Sequence, residues 1–316
     1  MNPPRLTFII GCTASGKAAL GRELAVRTGG EILSIDSMKV YRRMDIGTAK
    51  PSREIQRRIE HHLIDVVEPS EAFSVARYVD LAEKAIAAIH SRGKPILVVG
   101  GTSLYIKALT EGLFEGPGAR PELRAELHQL AEKEGTYCLH RRLQEVDPRA
   151  ASRIHANDLR RLVRALEVYQ VTGRPISDLQ AQWDQGRGKY ECLLVGVRRE
   201  KEDLSRRINE RVRRMMAEGF VDEVRSLLAE PQPLSRGARQ ALGYAELIAC
   251  LEGKCSLAEA VELIKINTRQ FAKAQRTWFK RFRSTQWLDV TADDTAGQLA
   301  DKLLTLRGSI WSASPK

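Results

Sequence analysis

The first hundred residues alternate short, almost wholly apolar runs with longer stretches of helical spacing. Leu6-Thr7-Phe8-Ile9-Ile10, Glu31-Ile32-Leu33-Ser34-Ile35, His62-Leu63-Ile64-Asp65-Val66-Val67 and Ile96-Leu97-Val98-Val99 read as strands buried on both faces. Between them, Lys17 to Thr28 predicts a helix. Val75 to His90 predicts another, with Val75, Val79, Ala82, Ile86 and Ile89 on one side. Strands alternating with helices predict an α/β fold built on a parallel, doubly wound sheet. In such sheets ligands bind beyond the carboxyl ends of the strands. Gly11, Asp36, Asp65 and Thr102 all stand at predicted strand ends, so they are expected to share one rim.

The pattern changes at Gly116-Pro117-Gly118. Helical spacing then dominates Pro121 to Glu134, Cys138 to Glu145 and Asn157 to Thr172. This stretch closes on the polar run Gln182-Trp183-Asp184-Gln185-Gly186-Arg187-Gly188-Lys189. Cys192 to Val197 resumes the strand pattern, and the remainder is mostly helical. The reading is an α/β core of residues 1–115 and 190–316, interrupted by a helical insertion domain over 116–189 and ending in a helical C-terminal region. A chain of 316 residues can bury two modest cores.

Hydrophobic content of 43% and charged content of 29% are ordinary for a globular protein. The formal charge of +11 suits a polyanionic partner, and it is spread along the chain with no basic tail. Cys12, Cys138, Cys192, Cys250 and Cys255 include no C-x-x-C pair. That argues for a reducing compartment and against a disulfide framework or a zinc site. The apolar run after Met1-Asn2-Pro3-Pro4-Arg5 is too short for a signal peptide, and no run reaches membrane-spanning length. A cytoplasmic protein with no membrane contact is expected.

Candidate chemistry begins at Gly11-Cys12-Thr13-Ala14-Ser15-Gly16-Lys17-Ala18, a G-x-x-x-x-G-K phosphate loop between a strand and a helix. Its glycines let backbone N–H groups wrap a phosphate at a helix N-terminus, and Lys17 adds a mobile cation. The loop is complete except at its last position, where Ser or Thr is expected and Ala18 stands. That hydroxyl is the usual Mg²⁺ ligand, so a polyphosphate is expected to bind with its metal held differently. Asp36 can take a proton or hydrogen bond from a substrate amine or hydroxyl, ligate a metal through water, or cap a helix. Thr102, after Gly100-Gly101, offers a hydroxyl to a substrate or caps the helix from Leu104 onward. His61 and His62 point to opposite faces of a strand and are read as structural.

Basic residues crowd three predicted helices: Arg160, Arg161 and Arg164; Arg206, Arg207, Arg211, Arg213 and Arg214; and seven cations with no acid between Lys265 and Arg283. Phe271, Trp278, Phe279 and Phe282 interleave with the last group. This is either a nucleic-acid backbone contact or a solvated helix face over an aromatic core.

At Asp36-Ser37-Met38-Lys39-Val40-Tyr41-Arg42-Arg43-Met44-Asp45-Ile46-Gly47-Thr48-Ala49-Lys50-Pro51 the pattern becomes specific. With Gly11–Lys17, His61-His62-Leu63-Ile64-Asp65, Gly100-Gly101-Thr102-Ser103-Leu104-Tyr105, Ala238-Arg239-Gln240-Ala241-Leu242-Gly243-Tyr244 and Thr268-Arg269-Gln270-Phe271-Ala272-Lys273, the chain resembles the bacterial tRNA dimethylallyltransferase (isopentenyltransferase) family from about residue 5 to residue 290. The resemblance implies a P-loop NTPase-like core and the transfer of a dimethylallyl group from dimethylallyl diphosphate to N6 of adenosine 37, beside the tRNA anticodon.

On matching positions, Gly11, Cys12, Thr13, Ala14, Ser15, Gly16, Lys17 and Ala18 would hold the diphosphate leaving group. Asp36 would act as base, Thr102 would hold the reacting centre, and Arg211 would clamp the diphosphate. Contacts to tRNA map onto Asp36, Ser37, Met38, Lys39, Thr102, Arg124, Arg160, Arg161, Leu162, Val163, Arg164, Arg239, Gln240, Ala241, Leu242, Gly243 and Tyr244, with the insertion gripping the anticodon stem-loop. The resemblance also implies Mg²⁺ and a monomer.

The chain departs from the family pattern at Ala18, Cys12 (usually Pro), Ser103 (usually Gly) and Arg120 (commonly Asp). Ala18 implies weaker Mg²⁺ dependence, or a metal held by phosphate, water and a carboxylate such as Asp36. A P-loop small-molecule kinase would need a metal ligand after Lys17. A catalytically impaired RNA-binding relative would not need Asp36, Thr102, Lys17 and Arg211 together.

Overall fold

The computed structural model describes residues 3–112, 116–180 and 189–312, the last seven of these by backbone alone. The polar run from Gln182 lies outside the described residues, apart from Lys189. Strand β1 (Arg5–Ile10) leads into α1 (Lys17–Thr28), β2 (Glu31–Ile35), a short α2 (Arg53–Arg58) and β3 (His61–His62). Then come α3 (Val75–Ser91), β4 (Ile96–Gly100) and α4 (Ser103–Glu111). Five helices follow: α5 (Pro121–Glu134), α6 (Thr136–Val146), α7 (Pro148–Ala151), α8 (Leu159–Thr172) and α9 (Ile176–Gln180). Strand β5 (Glu191–Arg198) returns to the sheet before α10 (Lys201–Ala217), α11 (Phe220–Leu228), α12 (Arg236–Arg239), α13 (Tyr244–Leu251) and α14 (Leu257–Phe279). The chain closes with β6 (Gln286–Asp289) and α15 (Ala296–Ser312).

The six strands form one parallel sheet in the order β3-β2-β4-β1-β5-β6. The apolar runs predict this arrangement, because β2 and β4 are buried at every position and β1 at all but its first. From β1 the chain winds outward to β2 on one side and later fills β5 on the other, so β1 lies at the topological switch point. The loop after it opens onto the rim where such folds bind ligands.

One expected strand is cut short. His62–Val67 contributes only His62 to the sheet, since Leu63 and Asp65 adopt left-handed φ angles of 63° and 55°. An extended ladder cannot hold those angles. The segment bonds instead to the loop after β2. The Asp65 and Val66 N–H groups donate to the carbonyls of Lys39 and Val40, and the Lys50 ammonium holds the Asp65 carboxylate at 2.7 Å.

The chain divides into two compact units, residues 1–108 with 188–316, and residues 109–187. In the first, Leu20 and Leu24 of α1 pack with sheet residues and with Leu299 and Leu303 of α15. The second has its own core, including Leu127, Leu139, Leu143, Leu162 and Leu166. At its centre the fully buried Glu167 carboxylate accepts from Arg124 Nε and Nη2, from Arg164 Nη1 and from the Arg120 N–H. Burial alone would raise its pKa, but these donors pull it down to about 2. Among the described residues no helix is long and apolar enough to cross a membrane.

Candidate active site

The loop between β1 and α1 is a nest of N–H groups. Ala14 (φ 60°) and Gly16 (φ 99°) take left-handed conformations, turning successive amides toward one side. Gly11 is required by close approach, since a Cβ there would stand 2.6 Å from Ser15 Oγ and 2.9 Å from the Val197 carbonyl. Among the described residues, nothing accepts from the N–H groups of Ala14, Gly16, Lys17 or Ala18. These are open donors at the positive end of α1, and together they form an anion cradle.

Groups distant in sequence hold the loop from behind. Gln275 of α14 is buried, and its Oε1 accepts from the Thr13 N–H while its Nε2 donates to the Gly101 carbonyl, both at 2.9 Å. Arg199 Nε donates to the Ser15 carbonyl at 2.8 Å, and Arg207 Nε to the Ala14 carbonyl at 2.9 Å. Cys12 and Ala14 pack against Leu204, Ile208 and Ala272. Burial there raises the Cys12 thiol pKa, which keeps it neutral and apolar. Gln275 and Arg199 escape sequence reading because only tertiary structure brings them to the loop.

Lys17 is half-buried, and its Nζ donates to the Cys12 carbonyl at 3.1 Å. Burial, reinforced by the Lys39 and Arg211 cations, lowers its pKa to about 8. An anion beside it would restore the charged form. Binding of an anionic substrate should therefore weaken as pH rises past 8 and Lys17 loses its proton in the free protein. The KM for a diphosphate donor is expected to climb up to about tenfold per pH unit above 8.5. Lys17→Arg should flatten that rise, and a flat wild-type profile to pH 10 would exclude Lys17 as the cradle's cation.

Asp36 and Thr102 stand side by side on the same rim. The Asp36 Oδ1 accepts from the N–H groups of Met38 (2.9 Å) and Lys39 (3.3 Å), and nothing described engages its Oδ2. Thr102 Oγ1 accepts from the Ser37 N–H at 3.1 Å, locking the exit of β2 to the exit of β4. Its carbonyl, not its hydroxyl, accepts the first helical bonds of α4, and no described acceptor takes the hydroxyl proton. Arg211 is half-buried with no hydrogen-bond partner among the described residues, and Asp36 offsets the pKa loss that burial imposes on it. Its guanidinium remains charged. Gly101 approaches the Gly11 carbonyl and the Lys17 side chain closely enough that a Cβ would lie 2.9 and 3.6 Å from them. Phosphate loop, Asp36, Thr102, Lys17 and Arg211 thus share one rim. Asp65 lies beside Lys39 but is engaged by Lys50.

The remaining expected contact residues fall into exposed and buried classes. Arg160, Arg161, Arg239 and Gln240 are exposed, with Arg161 paired to Asp158 and Arg239 to Glu252. Ser37, Met38 and Lys39 are half-buried at the rim. Arg124 and Arg164 are half-buried and oriented by Glu167. The side chains of Leu162, Val163, Ala241 and Tyr244 lie in cores, so only their backbone or placement can serve an RNA. Leu242 is half-buried, and the Gly243 N–H donates to Glu246. Tyr244 donates its hydroxyl to Glu223, whose carboxylate also gathers the N–H groups of Asp45, Ile46 and Gly47. At the end of α14, Phe279 packs inside with Phe282 of the turn that follows, and Phe279 reaches Trp287. Phe271 is 48% exposed, and Arg281 covers the Trp278 ring at 4.6 Å.

The chain matches the family model described as IPP transferase over residues 39–282. A tRNA dimethylallyltransferase of Geobacter metallireducens is 52% identical over 90% of this chain and 92% of its own length. The solved structure of a tRNA isopentenylpyrophosphate transferase from Bacillus halodurans is 37% identical, with a TM-score of 0.70 over 98% of this chain and all of that one. A eukaryotic dimethylallyltransferase acting on tRNA reaches a TM-score of 0.82 at 27% identity, covering 98% of this chain and 80% of the other. The parallel sheet, the loop at its switch point and these likenesses over nearly the whole length agree: the chain belongs to the IPP transferase family.

Proposed function

We propose that this protein transfers a dimethylallyl group from dimethylallyl diphosphate to N6 of adenosine 37 of tRNA, working as a cytoplasmic monomer. The observation that carries the reading is the convergence of an anion cradle, Lys17 and Arg211 with a carboxylate that has one oxygen free. An exocyclic amine is a weak nucleophile. The Asp36 Oδ2 would take the N6 proton as the N6–C1 bond forms and the C1–O bond to diphosphate breaks. The open N–H groups of Ala14, Gly16, Lys17 and Ala18, with the Lys17 and Arg211 cations, would meet the charge developing on the departing diphosphate. The Thr102 hydroxyl would hold the reacting amine in line. A target base inside the anticodon loop must leave its stack to reach this rim. Exposed Arg160 and Arg239 suit contact with the RNA backbone.

Mg²⁺, which the family resemblance implies, finds a poor donor set. Position 18 has no hydroxyl, and among the described residues no group of three His, Cys, Asp or Glu side chains could hold a metal. Lys17, Lys39 and Arg211 crowd the nearby Asp36 carboxylate. No step above passes through a metal.

Incubation with unmodified tRNA and dimethylallyl diphosphate is expected to give N6-dimethylallyladenosine in a nucleoside digest, detected by mass spectrometry. Product that appears only with ATP, or tRNA binding without product, would sink the reading.

A further inference from the structure

A small cavity opens beside the first turn of α1, lined among others by Ala18, Arg22, Ser34, Lys39 and His61, with no carboxylate in its wall. Arg22 follows Ala18 by one helical turn. Helical side chains lean toward the N-terminus, so Arg22 covers the surface above position 18, where a methyl leaves room. Neither the Arg22 guanidinium nor the Lys39 ammonium has a hydrogen-bond partner among the described residues, although both are half-buried. His61 faces them with its Nδ1 bonded to the Ile59 carbonyl, and burial lowers its pKa, which favours the neutral ring. Burial lowers the pKa of Lys39 and Arg22 as well, with Asp36 the compensating charge on Lys39, and Arg211 and Lys50 opposing it. Lys50 is already paired with Asp45 and Asp65. Among the described residues, three cations (Lys17, Lys39 and Arg211) therefore stand around the Asp36 carboxylate, which no cation pairs, and Arg22 adds a fourth positive charge beside Lys39. Buried charges are ordinarily balanced, so this excess marks a place for an anion.

We propose that Arg22 and Lys39, standing over Ala18, form a cationic subsite for the diphosphate and neutralise charge that a divalent ion would otherwise neutralise. This rests on the loop being a diphosphate cradle, and it adds that the cradle works on the metal-free anion. A guanidinium offers fixed, planar donors to phosphate oxygens, and a neighbouring ammonium adds a compact charge. In a half-closed cavity both act at reduced dielectric.

Titration calorimetry on the full chain, with inorganic diphosphate as the probe, tests this in EDTA and in millimolar Mg²⁺. Wild-type affinity should agree within about threefold between the two media. Arg22→Met should weaken binding in EDTA by about tenfold or more, Arg22→Lys should recover most of it, and tRNA affinity should not change. Should Arg22→Met fail to fold, as judged by circular dichroism, Arg22→Gln serves the same comparison. Wild-type binding that requires Mg²⁺, or an Arg22→Met protein that binds metal-free diphosphate normally, overturns the subsite. Loss of tRNA affinity with diphosphate affinity unchanged would assign the cations to an RNA phosphate and also overturn it. No diphosphate binding in either medium would remove the cradle itself, and with it the proposed function.

Discussion

Asp36→Asn should lower kcat for prenyl transfer by about 10²–10⁴-fold while tRNA affinity stays within about threefold of wild type. The amide is the informative substitution because of how Asp36 is built into the rim. Its Oδ1 accepts from the Met38 and Lys39 N–H groups, and an amide oxygen can still do so. The free Oδ2 is what the substitution changes, from a proton acceptor into a donor. Asp36→Ala should lose turnover too, but it also releases two backbone donors and so loosens the segment that carries Lys39. Single-turnover measurements with saturating donor and tRNA isolate the chemical step. An Asp36→Asn protein as fast as wild type would exclude Asp36 as the base.

Gln275→Leu is expected to act on both stability and donor binding. The side chain is buried and makes two bonds to backbone groups of different loops. Leucine fills a similar volume but strands the Thr13 N–H and the Gly101 carbonyl away from water. Each unpaired group costs about 1–3 kcal/mol, so a total of roughly 2–6 kcal/mol is expected for the two. For a body of this size that corresponds to a fall in Tm of roughly 4–24 °C. Gln275 also fixes the cradle to the turn bearing Thr102, so the KM for the donor should rise by roughly tenfold in protein that remains folded. A normal Tm with a normal donor KM would show that the loop holds its shape without α14.

What the sequence made legible was local. The run Leu6–Ile10, the glycine-punctuated loop and the helix from Lys17 are contiguous, and their periodicity predicts what the chain forms there. The α/β class and the parallel sheet follow from that alternation. The support behind the loop is not local. Gln275 reaches Thr13 across 262 residues and Arg199 reaches Ser15 across 184, and no spacing rule connects them. The truncation of β3 was hidden for a related reason. Apolar content in His62–Val67 reports burial, but the competing acceptors that capture this segment, the carbonyls of Lys39 and Val40, lie in another loop. The same holds on α14 and the turn after it, where a row of cations and aromatics does not say which rings face inward. Phe279 and Phe282 do, and Phe271 does not. Among the expected tRNA contacts, a run such as Arg160–Arg164 mixes two helix faces. Its arginines are accessible to different degrees, while Leu162 and Val163 belong to the core.

The position of β1 also governs the order in which the protein can assemble. Of the six strands of this sheet, the first to be synthesised is a central one: Leu6 pairs with Ile96 on one side and with Cys192 on the other. Its sheet cannot close until the chain past β5 has been synthesised. Gln275, which fixes the phosphate loop, arrives later still. Residues 109–187, by contrast, carry all of their core in one continuous stretch and can fold while the rest is being made. Such long-range closure is slow, and it delays the anion site until α14 has been made. A nascent chain released early would hold a folded helical unit and no working cradle.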